Sequence, residues 1–317
     1  MSVAKNNFLL LGNLAIVPTL FVVAEMGRAE FLPTWNALVP TLQSVGVMPI
    51  VGLPFYVFNN SQTDIFDPLD SKDLLQEHVE KFIAMGTRPI RNLPATIAGT
   101  GSLGANAPPL KHYNTTRFSV GGCCFPDDLL SFSICIHSVQ PWEWFETLRE
   151  RISHIFGASY FYSLLGYGFA CNGVLYHESL PKMRNHCFRY IGADLDDLPG
   201  LMSSYSLMGL HAINWQVEIS NNKLSDFGNI DRQNILKGAV PRGENWLWKT
   251  GAAPSMCDRN NPDDWASIAD YAALSAQLNP LIFLPNVKFG VDDWNGETIN
   301  RWRDRWTEVT NAIGIRS

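Results

Sequence analysis

The chain opens on apolar runs too short for globular helices and too continuous for surface loops. Phe8–Leu11 and Leu14–Val23 predict strands, the second covered on both sides because its alternate positions are also apolar. The period then changes. Phe31, Trp35, Leu38, Val39 and Leu42 fall at i, i+4, i+7, i+8 and i+11, one apolar face of a helix over Ala29–Gln43 that Pro40 should kink or shorten. Leu75, Val79, Phe82 and Ile83 predict a helix over Ser71–Met85, capped by Asp70 or Ser71 and stopped at Gly86. Residues 92–126 are rich in Gly, Pro, Asn and Thr and read as a long irregular connection. A strand at Leu129–Ile136 then leads into a helix at Pro141–Phe156, with Trp144, Leu148, Ile152 and Ile155 inward. A strand followed by a Trp-bearing helix thus occurs twice, as in a duplicated unit.

The rest of the chain continues in mixed periods. An aromatic strand is predicted at Tyr160–Cys171 and a short helix at Pro181–Tyr190. His211–Ser220 alternates, with Ile213, Trp215, Val217 and Ile219 on one face and Asn214, Gln216, Glu218 and Ser220 on the other. That is the pattern of a half-solvated, antiparallel strand. Trp246 and Trp248 mark a further strand, and helices close the chain at Asp263–Leu278 and Glu297–Ile313. In the last, Ile299, Trp302, Trp306 and Val309 form the apolar stripe. The expected architecture is α+β, with mixed or antiparallel sheets packed by helices. It is expected as a single domain over 1–317, or as two similar α+β subdomains of about 1–125 and 126–317.

Composition narrows the function class. The 317 residues are 46% hydrophobic and only 17% charged, enough apolar surface to exclude disorder. A net charge of -6, spread evenly along the chain, argues against direct nucleic-acid binding, which needs a basic excess to neutralise phosphates. The six cysteines (Cys123, Cys124, Cys135, Cys171, Cys187 and Cys257) contain no C-x-x-C pair and read as free thiols of a cytoplasmic protein. Lys5 before the apolar stretch Phe8–Ala24 imitates a signal peptide, but Asn13 and Pro18 interrupt it, and no membrane span is expected.

Motifs for chemistry are sparse. Gly99-Thr100-Gly101-Ser102-Leu103-Gly104 has G-x-G-x-x-G spacing, yet Pro108-Pro109 follows where a phosphate-binding helix would begin, so a flexible loop is expected. The seven histidines show no H-x-x-x-H pair, and a metal site would need ligands converging only in the fold. Cys123-Cys124 follows Gly121-Gly122, but no histidine is placed beside it by sequence. No G-x-S-x-G, P-loop or H-E-x-x-H occurs. Asp127-Asp128, Asp196-Asp197, Asp263-Asp264 and Asp292-Asp293 recur at loops and helix starts, where carboxylates cap backbone N–H groups or form a recognition surface.

One succession of short motifs stands out. Ser159-Tyr160-Phe161-Tyr162 through Gly166-Tyr167-Gly168 is followed by Arg189-Tyr190-Ile191-Gly192-Ala193-Asp194, then Asn214-Trp215, Thr250-Gly251-Ala252-Ala253-Pro254 and Asp258-Arg259-Asn260. In this order they resemble a type VI secretion immunity-protein family over most of the chain, with Cys257 standing where the family pattern expects glycine. The resemblance implies a cytoplasmic antitoxin without catalytic residues or cofactor. It would bind a cognate effector encoded by the adjacent gene, such as a VRR-Nuc-type nuclease, and occlude its active site. Acidic loops are the expected contacts: Asp194, Asp196 and Asp197 first, Asp263 and Asp264 second, set against the basic flanks of a DNA-cutting cleft. Two alternatives are a metal-dependent hydrolase whose ligands converge only in the fold, and an adaptor of the secretion apparatus.

Overall fold

The apolar run after Gly12 becomes the spine of the molecule. In a computed structural model, which describes residues 8–12, 14–45, 53–59, 62–69, 96–102, 115–122, 129–171, 176–195, 209–283 and 296–313, β1 (Leu9–Leu11) turns at Gly12 into the 14-residue β2 (Leu14–Gly27). Every residue of β2 from Leu14 to Ala24 is buried, because β2 lies between β7 (Leu129–His137) and β8 (Tyr160–Cys171) and is covered on both faces. Leu20, Val22, Ala24 and Met26 enter one core; Phe21 and Val23 enter the other.

Around this spine runs a 12-stranded sheet, mixed because β10 (Ala193–Asp194) pairs parallel to β8 while the other ladders are antiparallel. On one side of β2 the order continues through β8, β11 (Gln216–Ser220), β13 (Asn245–Lys249) and β12 (Val240–Arg242). On the other it continues through β7, β6 (Thr115–Gly122), β5 (Thr96–Ser102), β3 (Leu53–Asn59) and β4 (Gln62–Leu69). A two-stranded ribbon, β9 (Tyr190–Ile191) with β14 (Cys257–Asp258), sits apart. The fold is α+β.

The first core is closed by α1 (Arg28–Ser44) and α2 (Trp142–Phe156). All five apolar residues predicted for α1 are buried. Pro40 does not shorten it. Pro33 and Pro40 lie on its exposed side with Asn36 and Ala37, where water can take up the carbonyls that proline leaves unbonded. The second core is closed by α3 (Tyr176–Arg189), α4 (Asn221–Asp226), α5 (Arg232–Ile235) and α7 (Gly296–Arg303); α6 (Ala269–Leu278) contributes to both cores, and α8 (Arg305–Ile313) packs into the first.

Several expectations change. Residues 96–102 and 115–122 are strands rather than an irregular connection: they pair with β3, with each other and with β7, and their Gly, Thr and Ser content outweighs the short alternation Arg117-Phe118-Ser119-Val120. Gly99 and Gly101 therefore lie in a ladder opposite Phe118 and Thr116, not in a loop. His211–Ser220 is not half-solvated: all ten residues are buried and only 216–220 is strand. The inward face of α2 is centred on Phe145, Leu148, Arg149, Ile152 and Phe156, with Trp144 and Ile155 at its margins. The segment before Leu278 starts as a 3-10 turn, Pro262–Ile268, and the closing helix breaks at Asp304 into α7 and α8. The helix expected at 71–85 lies outside the described residues, as do Cys123-Cys124, Asp127-Asp128 and Asp292-Asp293. Among the described residues, no helix is long and apolar enough to cross a membrane.

Candidate binding surface and the polar groups beneath it

The short motifs converge in space, and most act on backbone. Asn214 lies across Gly166 so closely that a Cβ there would stand 1.7 Å from its Oδ1. From that position Asn214 donates to the Tyr167 carbonyl (3.1 Å) and accepts from Trp215 N–H (2.9 Å). The Trp215 carbonyl accepts from both the backbone N–H (2.8 Å) and the hydroxyl (3.1 Å) of Thr250. Gly192, at φ 105°, turns β9 into β10, and a Cβ there would meet the Ser255 carbonyl at 2.9 Å. Ser255 N–H in turn donates to the hydroxyl of Tyr271, whose ring stacks on Trp306. Three separate segments are thereby locked against α8.

Asp194, expected on an exposed acidic loop, is 0% exposed. Its Oδ1 accepts from Leu195 N–H at 2.8 Å and stands 3.7 Å from Arg305 Nη2, while Oδ2 lies 3.4 Å from His211 Nε2. With Nε2–H assigned toward Asp194, the opposite ring nitrogen accepts from the Tyr162 hydroxyl at 3.1 Å. The Arg305 guanidinium donates to the Trp302 carbonyl and lies over the Trp302 and Trp306 rings. Tyr–His–Asp in line is the arrangement of a proton relay. Here Tyr162 is fully buried, and the line ends on Asp194, which also stands against Arg305 at the start of α8.

Two further polar groups lie in the cores. The Thr19 hydroxyl donates to the Val17 carbonyl and so accepts from His137 Nδ1 at 2.8 Å, leaving Nε2 facing Cys135 Sγ at 3.3 Å. All three side chains are buried. Beneath β11, Arg149 pairs with Glu218 (3.1 Å) and donates to Gln216, while Asn245 bridges Glu218 and Ser153. This network explains why the polar face of β11 is dry: α2 supplies its partners. It reaches the surface at Glu146, whose carboxyl burial pushes up but Gln216 and Lys249 together hold below the usual range.

Charge is exposed at the β9–β14 ribbon. Arg189 ends α3 and grips Asp258 bidentately, Nε to Oδ1 at 3.0 Å and Nη2 to Oδ2 at 2.7 Å, with Arg189 45% exposed. That hydrogen bond holds the Asp258 carboxyl below its ordinary range. The Arg189 carbonyl accepts from Arg259 N–H (2.7 Å), Arg259 pairs with Glu308 (2.8 Å), and Arg301 stands 4.0 Å from Glu308 and over the Phe188 ring. Asp263 is exposed at the start of the 3-10 turn. Asp264 is half-buried and serves the turn, accepting from Asp258 N–H and Asn261 Nδ2. Asp196 and Asp197 lie outside the described residues. Beside this turn, burial and then the charges of Asp264 and Asp258 push the Cys257 thiol up to about 12, which makes it an inert core group. Among the described residues, no three His, Cys, Asp or Glu side chains cluster so as to hold a metal ion.

Sequence reasoning missed Arg149, His211, Arg305 and the Arg189–Asp258 clasp. Arg305 carried a signal: it falls between Trp302 and Trp306 on the stripe that is buried.

No family model and no curated protein matches this chain. Among solved structures, it is similar to the Pseudomonas aeruginosa T6SS protein PA0821. The TM-score is 0.59 and the identity 12%, over 95% of this chain and 86% of that one, a likeness that establishes a shared fold.

Proposed function

We propose that this chain is a type VI secretion immunity protein, a cytoplasmic antitoxin that binds a cognate effector, with a nuclease as the toxin class, and occludes its active site. The observation that carries this reading is the fold shared with a T6SS protein over 95% of the chain. The ordered motifs from Gly166 to Asn260 support it independently. The protein acts by binding rather than by catalysis. Among the described residues, the histidine-centred groups Tyr162–His211–Asp194 and Cys135–His137–Thr19 are buried, a placement that suits a structural role. Neutralisation needs an interface of roughly 1,600 Å² or more, which a chain of this size can supply on one face. The test is co-expression with the toxin encoded by the adjacent gene. Growth should be restored at equimolar expression, and the two proteins should elute as one complex. Continued killing under full expression of this chain would overturn the reading.

A further inference from the structure

Arg301, Glu308, Arg259, Asp258 and Arg189 form a continuous row of alternating charge across α7, α8, the ribbon and the end of α3. As a source of stability the row contributes little, since solvent screens ion pairs this exposed. Yet it is built rigidly. Asp258 also accepts from Asn260 N–H (3.1 Å), and its own N–H is held by Asp264. Arg189 lies over Tyr190, against which His186 stacks. The elements that carry the row are also tied underneath: Arg305, one turn before Glu308, approaches Asp194, five residues after Arg189. Side chains ordered before binding lose less entropy when a partner arrives.

We propose that this row is the face on which the partner protein docks, a deepening that rests on the antitoxin reading. Its alternation identifies the kind of partner. A polyanion such as DNA, or an anionic membrane, would meet Asp258 and Glu308 with repulsion between the arginines. A folded protein presenting carboxylates opposite the three guanidiniums, and a cation opposite an acid, matches it site by site. Arginine, three times present in the row, is also among the residue types that dominate interface energetics.

The experiment uses the full chain and a catalytically inactivated form of the adjacent-gene effector, with affinity measured by interferometry at two salt concentrations. The double substitution Arg189→Asp with Asp258→Arg keeps an internal pair but inverts the outward pattern, losing only the exposed Asn260 N–H bond and the Tyr190 contact. We expect at least a 30-fold weaker Kd, mainly through faster dissociation, with the melting temperature lowered by a few degrees at most, so that the chain stays folded at the assay temperature. The same swap at the exposed Arg242–Glu150 pair serves as control and should leave Kd unchanged. Should the wild-type chain bind and the Arg189/Asp258 swap bind equally well, the docking face is overturned while the antitoxin reading stands. Absence of binding by the wild-type chain overturns both. Capture of duplex DNA by the wild-type chain, lost in the swap, would reassign the row to nucleic acid and overturn the protein partner.

Discussion

At the scale of single residues, the motif positions are explained by contact rather than by chemistry. Gly166 is glycine because Asn214 occupies the space of a Cβ, and Asn214 cannot move without breaking its bonds to Tyr167 and Trp215. Gly166→Ala should therefore destabilise the fold by about 2 kcal/mol or more, as overpacking of a tight site does. Chemical denaturation checks this, and Gly166→Ala combined with Asn214→Ala should lose less than the sum of the two. A second residue-scale expectation concerns acid. Arg189 lowers the folded-state pKa of Asp258, so the stabilisation from this group is complete above the ordinary carboxylate range. It disappears as pH falls through the lowered value. The difference in melting temperature between wild type and Asp258→Asn should be constant between pH 6 and 8 and shrink in strong acid. Its size at neutral pH should stay below about 1 kcal/mol, because solvent screens an exposed pair.

Among the elements, β2 and β11 show how burial on two faces is achieved by different means. β2 does it with a mainly apolar sequence whose buried Thr19 is satisfied by Val17 and His137; β11 does it with polar alternates that α2 satisfies. The sheet edge at β12 follows another logic. Arg242 pairs with Asn245 across a two-residue turn, and Val240 pairs with Leu247, so the intervening Pro241 occupies the outward position. Proline offers no N–H to an incoming strand, and it shields a three-residue edge on which Val240 is among the most exposed large apolar side chains. Pro241→Val should restore a donor and produce concentration-dependent association in light scattering. A monomer-to-oligomer profile identical to wild type would show that the edge is protected by something else.

For the whole molecule, the decisive contact is Asp194, buried and approached by Arg305 on one oxygen and His211 on the other, which joins α8 to the segment 189–194 and to the coil before β11. Asp194→Asn removes the carboxylate from a buried guanidinium and should cost about 3 kcal/mol, in the range for breaking a buried pair. Hydrogen exchange should then rise together in 189–195 and 296–313 while the β2–β7 ladder keeps its protection. Uniform loss across the chain would mean that the contact supports global stability instead. The same contact corrects the expected role of Asp194: its charge is turned inward, and the exposed charge of that region belongs to Arg189, Asp258, Arg259, Arg301 and Glu308.

The sequence by itself determined the α+β class, the buried course of β2, the inward face of α1, the whole of β8 and the Trp stripe of α7 and α8. In each of these, local periodicity and burial agree, so a pattern only a few residues long carries the information. It left the strands at 96–102 and 115–122 unread, because Gly, Thr and Ser dominate both and the alternation Arg117-Phe118-Ser119-Val120 is too short to mark a strand without its pairing partners. The charged groups depended wholly on tertiary structure. Whether an Asp caps a turn, neutralises a buried Arg or faces water is set by neighbours far away in sequence, as Asp194 and Arg305, 111 residues apart, demonstrate. The even spread of acidic residues along the chain therefore held no address for a binding face. The fold brings α3, the ribbon, α7 and α8 together, and the charged row they carry is the face proposed for docking.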